Sequence, residues 1–264
     1  MMPKIELREA SHSYMRGAST VAAFESLSLS IGTGEFVSIV GPSGCGKTTL
    51  LFSIAGFLRP TQGLVLVDGK PVAGPGPDRG VVFQSFALFN WLTVRQNIEF
   101  GLRMAGVDTK KRRARSNELL SMVGLTRFGD RYPYELSGGM KQRTAISRAL
   151  AADPGILLMD EPFAALDAQS REMMQEELVR IWEATRKTVM FVTHSIDEAI
   201  YLSSRVIVFT ARPGRIKHML DIRLPAPRYD PHVRTSPEFV AAKDSILDLV
   251  REETLKQFKM EGSP

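Results

Sequence analysis

Residues Gly41–Thr49, GPSGCGKTT, decide the fold of this 264-residue chain. An apolar run over 36–40 precedes them and a segment with helical spacing over 50–55 follows, which gives the order strand, glycine loop, helix. The stretch fits G-x-x-x-x-G-K-[S/T], the pattern of a phosphate-binding loop. Its glycines let successive backbone N–H groups point inward, and the following helix adds its positive end. Lys47 supplies a charge for the β- and γ-phosphates, and the Thr48 hydroxyl is a ligand for Mg²⁺.

The alternative is a glycine turn that happens to precede a lysine, but the strand before it and the helix after it favour the phosphate loop. The residues predicted to contact a bound nucleoside triphosphate here are Gly41, Pro42, Ser43, Gly44, Cys45, Gly46, Lys47, Thr48 and Thr49.

Composition and charge narrow the class of protein. The chain is 44% hydrophobic and 24% charged, as expected of one large globular domain or a domain with subdomains. Its single cysteine excludes an internal disulfide framework and a cysteine-cluster metal site. The net charge of +5 suits an anionic membrane surface or a nucleic acid and does not choose between them. No apolar run has the length of a membrane span, and no secretory signal begins the chain, so we expect a cytoplasmic protein without its own anchor.

Buried strands are predicted at 156–159, 189–193 and 206–209, where apolar runs alternate with segments of helical spacing. This alternation predicts an α/β fold with ligand at the carboxyl ends of the strands. Between Ser85 and about Leu150 strand-like runs vanish and helical spacing takes over. Residues 4–9 alternate polar and apolar side chains and predict an edge strand, with Tyr14 in a following loop.

The C-terminal part is predicted to hold a stiff linker and a helix. Four prolines lie between Leu224 and Pro237, and Ser236-Pro237 is a favourable helix start. The helix would present one apolar face, which we expect to pack on the body of the protein or on a partner. The residues of that face are Phe239, Ala242, Ile246, Leu249 and Val250.

Two adjacent acids end the predicted strand at LMDE, Leu158–Glu161. Asp160 can hold Mg²⁺ through water, and Glu161 lies where a carboxylate can polarise an attacking water. The alternative is a solvated pair at a strand end.

A second anion-binding helix start is predicted at LSGGM, Leu136–Met140. Ser137, Gly138 and Gly139 would lead into a helix whose N-terminus attracts phosphate. One nucleotide site cannot easily use both ends of the same chain. Two chains facing head to tail can, if each lends its serine-glycine turn (Ser137–Gly139) to the other's nucleotide. The alternative is a capped helix with a flexible entry.

The chain from about Ile5 to Ile216 resembles the ATPase subunits of ABC transporters. The motifs that carry the resemblance, in order and spacing, are Gly41–Thr49, Gln84, Leu136–Arg143, Leu158–Glu161, Ala165–Asp167 and His194. The resemblance implies a P-loop NTPase core sheet with flanking helices, an antiparallel β subdomain and an inserted α-helical subdomain at about 86–150. The ATPase domain would span 1–220, with the proline-rich linker and C-terminal helix at 221–264.

The resemblance also implies the roles of individual residues in binding and hydrolysing ATP with Mg²⁺. Gln84 would sense Mg²⁺ and the attacking water, and Asp167 would lie across a dimer interface. Catalytic roles fall to Glu161, His194, Lys47 and Gln84, and metal contacts to Thr48, Gln84 and Asp160. Nucleotide contacts outside the phosphate loop fall to Tyr14, Ser137, Gly138, Gly139 and Asp167.

For three residues, Tyr14, His194 and Cys45, the sequence leaves two interpretations open. Tyr14 could be partly buried beside its strand or form an aromatic plate under adenine. His194, in VTHSIDEA, could be a filler, but its place after a buried strand favours a contact to the γ-phosphate. Cys45 is predicted to have a lowered pKa, because it lies near Lys47 and a helix N-terminus. One interpretation gives Cys45 a redox role. The simpler interpretation is a small residue that contributes its backbone, and not its thiol, to the phosphate loop.

Since no membrane span is fused to the motifs, the chain resembles the free-standing subunit of a bacterial importer. Four stretches are most similar to the importers of nitrate, aliphatic sulfonates and taurine: FNWLTVRQNIEFGL, YPYELSGGMKQR, VFTARPGRI and RTSPEF. The implied partners are a second ATPase subunit in a homodimer, integral membrane permease subunits and, indirectly, a periplasmic or lipid-anchored solute-binding protein. The implied location is peripheral, on the cytoplasmic side of the inner membrane.

The permease would dock near Gln84 and the Phe86–Trp91 cluster, although that cluster could instead be subdomain core. No nucleic-acid partner is expected, because the basic run at 110–115 has no interleaved aromatic residues for stacking. The alternatives are a soluble ABC-type ATPase of translation or DNA repair, and a nucleotide-dependent clamp that does not hydrolyse. Paired ATPase units or a coiled-coil insertion would favour the first, and Glu161 and His194 argue against the second.

Overall fold

The structure is a computed structural model that describes residues 2–17, 19–225 and 228–261. Contacts between residues divide the chain into two units. The first unit combines residues 1–76 with 183–264, and the second contains residues 77–182.

The first part of unit one contains an antiparallel sheet and the strand that leads into the phosphate loop. Its elements are β1 (Ile5–Arg16), β2 (Ser19–Ile31), β3 (Phe36–Val40), α1 (Lys47–Ala55), β4 (Gln62–Val67) and β5 (Lys70–Pro71). The antiparallel sheet has the order β2-β1-β4-β5.

The prediction of an edge strand at 4–9 is wrong in two respects. β1 lies between β2 and β4, and it continues through Tyr14, which the sequence had placed in a loop. The register of β1 shifts after Leu7 and again after Ala10, and Glu9 has a φ of 45°. Such bulges break the alternation of side chains, so a period of two identifies only the first half of the strand.

Unit two contains a pair of strands and a group of helices. Its elements begin with β6 (Arg79–Val82), α2 (Val94–Met104), α3 (Thr109–Met122), α4 (Gly138–Ala151) and β7 (Ile156–Asp160), and α5 (Ala168–Thr185) follows. β6 and β7 are parallel, with Val82 opposite Met159. Regular structure between residues 85 and 150 is helical, as predicted. Thr93, Asp108 and Ser137 cap α2, α3 and α4, which explains where these helices begin.

The chain then completes unit one with β8 (Thr188–Val192), α6 (Ile196–Leu202), β9 (Arg205–Phe209), β10 (Ile216–Asp221) and α7 (Pro237–Glu261). β3 pairs in parallel with β8 on one side and with β9 on the other, and β10 is antiparallel to β9. Every residue of β3 and of β8 is buried, as expected for central strands. The strands predicted at 189–193 and 206–209 are therefore present and parallel to β3, and ligand binding at their carboxyl ends stays a prediction.

The C-terminal helix begins at Pro237, as predicted. Of the linker before it, Ala226 and Pro227 lie outside the described residues, and Pro231–Thr235 form a short 3-10 helix. α7 packs against α6 and β9, with Phe239 and Ile246 buried. The helix therefore packs on the body of its own unit.

Glu253 anchors α7 through a network of charges. The side chain is 2% exposed, and it accepts hydrogen bonds from Lys217 on β10 (2.8 Å), from Lys256 (2.8 Å) and from the backbone N–H of Ala211 (3.0 Å). Burial raises the pKa of Glu253, but these donors more than reverse that effect and lower the pKa to about 2.

Glu253→Gln is expected to destabilise the protein at neutral pH, and the loss should vanish in acid. A pKa lowered from 4.5 to about 2 means that the stabilisation is complete above about pH 4.5 and disappears as the pH falls towards 2. We expect a loss of about 1–2 kcal/mol at pH 7, because Lys256 is half exposed and solvent screens its charge. Denaturant unfolding of both proteins across this pH range measures the difference.

Glu252→Gln is the matched control, since Glu252 contacts the same two lysines but is exposed. Its effect should stay below about 0.5 kcal/mol. A pH-independent difference between wild type and Glu253→Gln would contradict the assigned ion pairs.

Candidate ATP-binding and hydrolysis site

The phosphate loop (Gly41–Thr49) joins the end of β3 to the start of α1, as predicted. Gly46 precedes the helix with a φ of 94°, a conformation that favours glycine. A Cβ atom on Gly46 would lie 2.4 Å from the carbonyl oxygen of Ala23. Both the backbone conformation and the neighbouring strand therefore require glycine at this position.

Lys47 is 6% exposed and lies within the curve of the loop. Its Nζ donates to the carbonyl oxygens of Gly41 (2.8 Å) and Pro42 (2.9 Å). These neutral acceptors satisfy a buried ammonium group, and phosphate oxygens can offer it stronger, charge-assisted hydrogen bonds. The lysine is thus positioned for the phosphate contact that the sequence predicts.

Tyr14 lies beside the same loop. Its hydroxyl is 3.2 Å from Oγ1 of Thr49, and its ring meets His12 edge-on with centroids 4.7 Å apart. The side chain is 44% exposed, so part of the ring faces solvent. The placement agrees with an aromatic plate at the rim of a nucleotide site, and adenine stacking stays a prediction.

His194 leaves the sheet at the same edge as the phosphate loop. β8 and β3 are parallel neighbours, and the N–H of Thr193 donates to the carbonyl oxygen of Ile39 at 3.2 Å. The Thr193 hydroxyl donates to Glu198 (2.6 Å), and Ser195 caps α6. The backbone is therefore fixed on both sides of an exposed histidine.

Gln84 and Glu161 come together in unit two, where β6 and β7 end side by side. Gln84 Nε2 lies 3.4 Å from Glu161 Oε2. Glu161 has a φ of 44°, a left-handed conformation that is uncommon for glutamate and that occurs preferentially at functional sites. Asp160, the last residue of β7, is 7% exposed. Asp160 is therefore buried and Glu161 half-buried, and the different roles of the two acids stay predictions.

The serine-glycine turn begins α4, and the turn that contains Asp167 lies next to it. Ser137 Oγ accepts from the N–H of Met140 (3.4 Å), and a Cβ on Gly138 would lie 3.3 Å from Leu166 Cδ2. Asp167 accepts from the N–H of Ser170 at 2.9 Å, and this hydrogen bond lowers the pKa of Asp167. The two turns form one surface of unit two that carries a helix N-terminus and a carboxylate.

The predicted magnesium ligands have suitable chemistry. Thr48, Gln84 and Asp160 offer a hydroxyl, an amide and a carboxylate oxygen, all of which are hard donors. Within the described ranges no group of three or more His, Cys, Asp or Glu side chains could hold a metal. Nucleotide-bound Mg²⁺ needs no such cage, because phosphates and waters complete its coordination. Each donor is therefore of a type that Mg²⁺ accepts, and their joint role in holding nucleotide-bound Mg²⁺ stays a prediction.

Sequence reasoning missed Arg148, a residue of α4 that supports the segment after Gln84. Its guanidinium donates to the carbonyl oxygens of Ala87 (2.5 Å) and Phe86 (3.0 Å) and lies 5.6 Å from the centre of the Phe89 ring. Phe86 and Ala87 have φ values of 59° and 48°, which are costly without such support. Arginine on a helix gives no sequence signal of this contact, because its partners lie about 60 residues away.

The prediction of a lowered pKa for Cys45 is wrong. The thiol is 1% exposed, and burial raises its pKa more than the nearby Lys47 ammonium, 3.7 Å from Sγ, lowers it. Desolvation therefore outweighs the charge effect that the sequence suggested. This leaves the backbone role as the interpretation that fits.

We expect Cys45 to resist alkylation in the folded protein. A raised pKa leaves little thiolate at pH 7–8, so iodoacetamide should react at least about 10-fold more slowly than with the denatured chain. Mass spectrometry after timed quenching measures both rates. Cys45→Ser should retain ATP hydrolysis, whereas forced alkylation should block ATP binding through its bulk. An inactive but folded Cys45→Ser protein would contradict the backbone role.

A family model described as ABC transporter matches residues 24–164, which include the phosphate loop, the serine-glycine turn and both strand-end acids. The chain belongs to the ABC transporter family. Within it the chain is an ATP-binding subunit and an ATPase, as the sequence predicted.

Several relatives of this ABC ATPase are similar over almost their whole length. An uncharacterized ABC transporter ATP-binding protein of Methanocaldococcus jannaschii is 51% identical, covering 98% of this chain and 96% of that protein. The nitrate import ATP-binding protein NrtD of Synechocystis is 46% identical, covering 94% and 95%. The taurine import ATP-binding protein TauB of Burkholderia pseudomallei is also 46% identical, covering 96% and 99%.

Solved structures confirm the predicted fold of the ABC ATPase. A dimeric structure of the ATP-binding cassette MJ0796, bound to ADP and phosphate in a post-hydrolysis state, superposes with a TM-score of 0.73. That match is 35% identical and covers 83% of this chain and 99% of the cassette.

In the part of the chain that the structure describes, no helix is both long enough and apolar enough to cross a membrane.

Proposed function

We propose that this chain is the ATP-hydrolysing subunit of a bacterial importer that takes up a small anionic solute such as nitrate, a sulfonate or taurine. The observation that carries the proposal is the similarity to nitrate and taurine import subunits over at least 94% of the chain. The described region after β10 contains a short 3-10 helix and α7. The similarity also covers 95% of the nitrate import subunit and 99% of the taurine import subunit.

Two copies would bind two ATP molecules at a shared interface. The phosphate loop of one copy and the serine-glycine turn of the other would hold each nucleotide, with Asp167 beside the turn. Both lie at helix N-termini, which attract phosphate, and the two belong to different units of the chain. The dimeric cassette bound to ADP and phosphate supports a paired arrangement.

Hydrolysis would use Gln84 and Glu161, which follow β6 and β7. Glu161 would orient the attacking water as general base, and Gln84, 3.4 Å from it, would link that water to Mg²⁺. Thr48 and Asp160 would hold the metal, Lys47 the β- and γ-phosphates, and His194 the γ-phosphate. Closure on ATP and reopening after hydrolysis would then drive the permease.

The Phe86–Trp91 cluster is the proposed docking surface for the permease. Within unit two, Phe89 packs on Phe100 with ring centroids 4.4 Å apart, whereas Trp91 is 73% exposed. An exposed tryptophan seven residues after Gln84 in the sequence suits a partner that senses the nucleotide state. The subunit would thereby be held peripherally on the cytoplasmic side of the inner membrane, with a solute-binding protein acting indirectly. No nucleic acid is part of this proposal.

Purification of the tagged chain from host membranes tests the proposal. We expect a permease to co-purify and uptake of nitrate, sulfonate or taurine to fail in a deletion strain. Trp91→Ala should reduce permease recovery, whereas Met104→Ala, which alters another exposed apolar residue of the same unit, should not. Recovery with ribosomes or DNA would overturn the proposal in favour of an ATPase of translation or repair.

A further inference from the structure

The backbone carbonyl groups of the phosphate loop need hydrogen-bond donors of their own, separate from the nucleotide. A loop that turns its N–H groups toward an anion must turn carbonyl oxygens away from it, and these need hydrogen-bond partners. Lys47, within the curve of the loop, donates to the carbonyl oxygens of Gly41 and Pro42. Phosphate binding draws on the same ammonium group, and the carbonyl groups of Ser43 and Gly44 need other partners.

Two side chains from distant segments serve the next two carbonyls. Arg212 Nε donates to the carbonyl oxygen of Gly44 at 3.2 Å. Gln257 Nε2 lies 3.5 Å from the carbonyl oxygen of Ser43. Both donors lie more than 160 residues along the chain from the loop. Neither Arg212 nor Gln257 was predicted as a site residue, and each of these two contacts is to the backbone of the loop.

Arg212 belongs to the β9–β10 turn (210–215), which is fixed independently of the nucleotide. The Thr210 hydroxyl donates to the carbonyl oxygen of Pro213 (2.9 Å) and accepts from the N–H of Arg215 (2.9 Å). The N–H of Gly214 donates to Ala23 on β2 at 2.9 Å. A Cβ on Gly214 would lie 2.0 Å from the carbonyl oxygen of Cys45, so turn and loop backbones are in direct contact.

Gln257 lies on α7, which is tied to the same turn. Glu253, one helical turn before Gln257, accepts from the N–H of Ala211, the residue next to Arg212. Lys217 on β10 bridges to Glu253 and Glu252 at 2.8 and 2.6 Å. The turn and the helix are thus joined to each other as well as to the loop.

We propose that the β9–β10 turn and α7 act as a clamp on the outer face of the phosphate loop, with Arg212 and Gln257 as positioning residues. By binding the carbonyls of Gly44 and Ser43, they hold the loop with its N–H groups directed at the phosphate position. A pre-shaped loop loses less conformational freedom on binding, so the clamp raises affinity for the nucleotide. The inference rests on ATP binding at this loop.

The test is nucleotide affinity in variants of the full-length chain. Arg212→Ala and Gln257→Met, which keeps a similar length without charge but loses the donor, are each expected to weaken ADP and ATP binding about 3- to 10-fold. In turnover the change should appear in KM, with kcat within about 2-fold of wild type. Arg212→Lys should recover part of the affinity. Arg251→Ala removes an exposed arginine from α7 and is the matched control, expected to bind as wild type.

Hydrogen exchange gives a readout that is independent of activity. The amides of residues 41 and 43–46 should exchange faster in nucleotide-free Arg212→Ala and Gln257→Met than in wild type or Arg251→Ala. Unchanged affinity and exchange in the variants would overturn the clamp, as would a fall in kcat at constant KM. If wild type itself bound no ATP, the nucleotide site would be wrong, which is a separate outcome.

Discussion

Glu161→Gln is expected to lower ATP turnover by about 10²- to 10⁴-fold while leaving ATP binding intact. The carboxylate at the end of β7 is the predicted general base, and an amide of the same shape cannot accept a proton from water. Gln84 Nε2, now 3.4 Å from a Glu161 oxygen, can still pair with the amide oxygen, so the local geometry should survive. Steady-state phosphate release at saturating Mg-ATP measures the effect.

The same variant should accumulate as an ATP-bound dimer. If closure requires ATP and reopening requires hydrolysis, a protein that binds but does not hydrolyse stays closed. Size-exclusion chromatography with and without ATP reports this directly. Glu172→Gln, an exposed glutamate on α5, is a matched control that should behave as wild type. Turnover unaffected by Glu161→Gln would refute the assignment of the base.

Mixing two inactive variants is expected to restore ATPase activity. Lys47→Ala removes the positive charge that the phosphate loop offers to the nucleotide. Gly139→Asp places a carboxylate at the serine-glycine turn, where it repels phosphate. Each variant alone should lose at least about 100-fold in turnover. In a head-to-tail dimer of one Lys47→Ala and one Gly139→Asp chain, both lesions fall in one site and the other site is intact.

The structure makes Gly139→Asp a suitable partner for this experiment. A Cβ on Gly139 meets nothing closer than Ser170 at 3.9 Å, and aspartate is favourable in the first turn of a helix. The variant should therefore fold. A 1:1 mixture should recover up to about a quarter of wild-type turnover, because half of randomly formed dimers are mixed and each has one intact site.

Two tags on the two variants would verify that mixed dimers form. Mixing Lys47→Ala with differently tagged Lys47→Ala should restore nothing. If the loop and the serine-glycine turn of the same chain served one nucleotide, each mixed dimer would contain two damaged sites. Verified mixed dimers without recovered activity would therefore refute the shared interface.

The sequence by itself determined the features that depend on neighbouring residues. The glycines and lysine of Gly41–Thr49 specify a loop between strand and helix, because only their backbone freedom and spacing permit it. Ser137 and Pro237 likewise mark helix starts that the structure confirms, since capping is a local interaction. The family followed from the order and spacing of such local motifs.

The tertiary structure decided what depends on distant parts of the chain. Tyr14 belongs to β1 and not to a loop, because bulges hide the strand from its sequence pattern. The pKa of Cys45 is raised because burial, which sequence does not report, outweighs the charge of its neighbour Lys47. Arg212 and Gln257 reach the phosphate loop only because β9, β10 and α7 fold back beside it. Contacts between residues so far apart in the chain have no local pattern, so they become visible only when the packing is known.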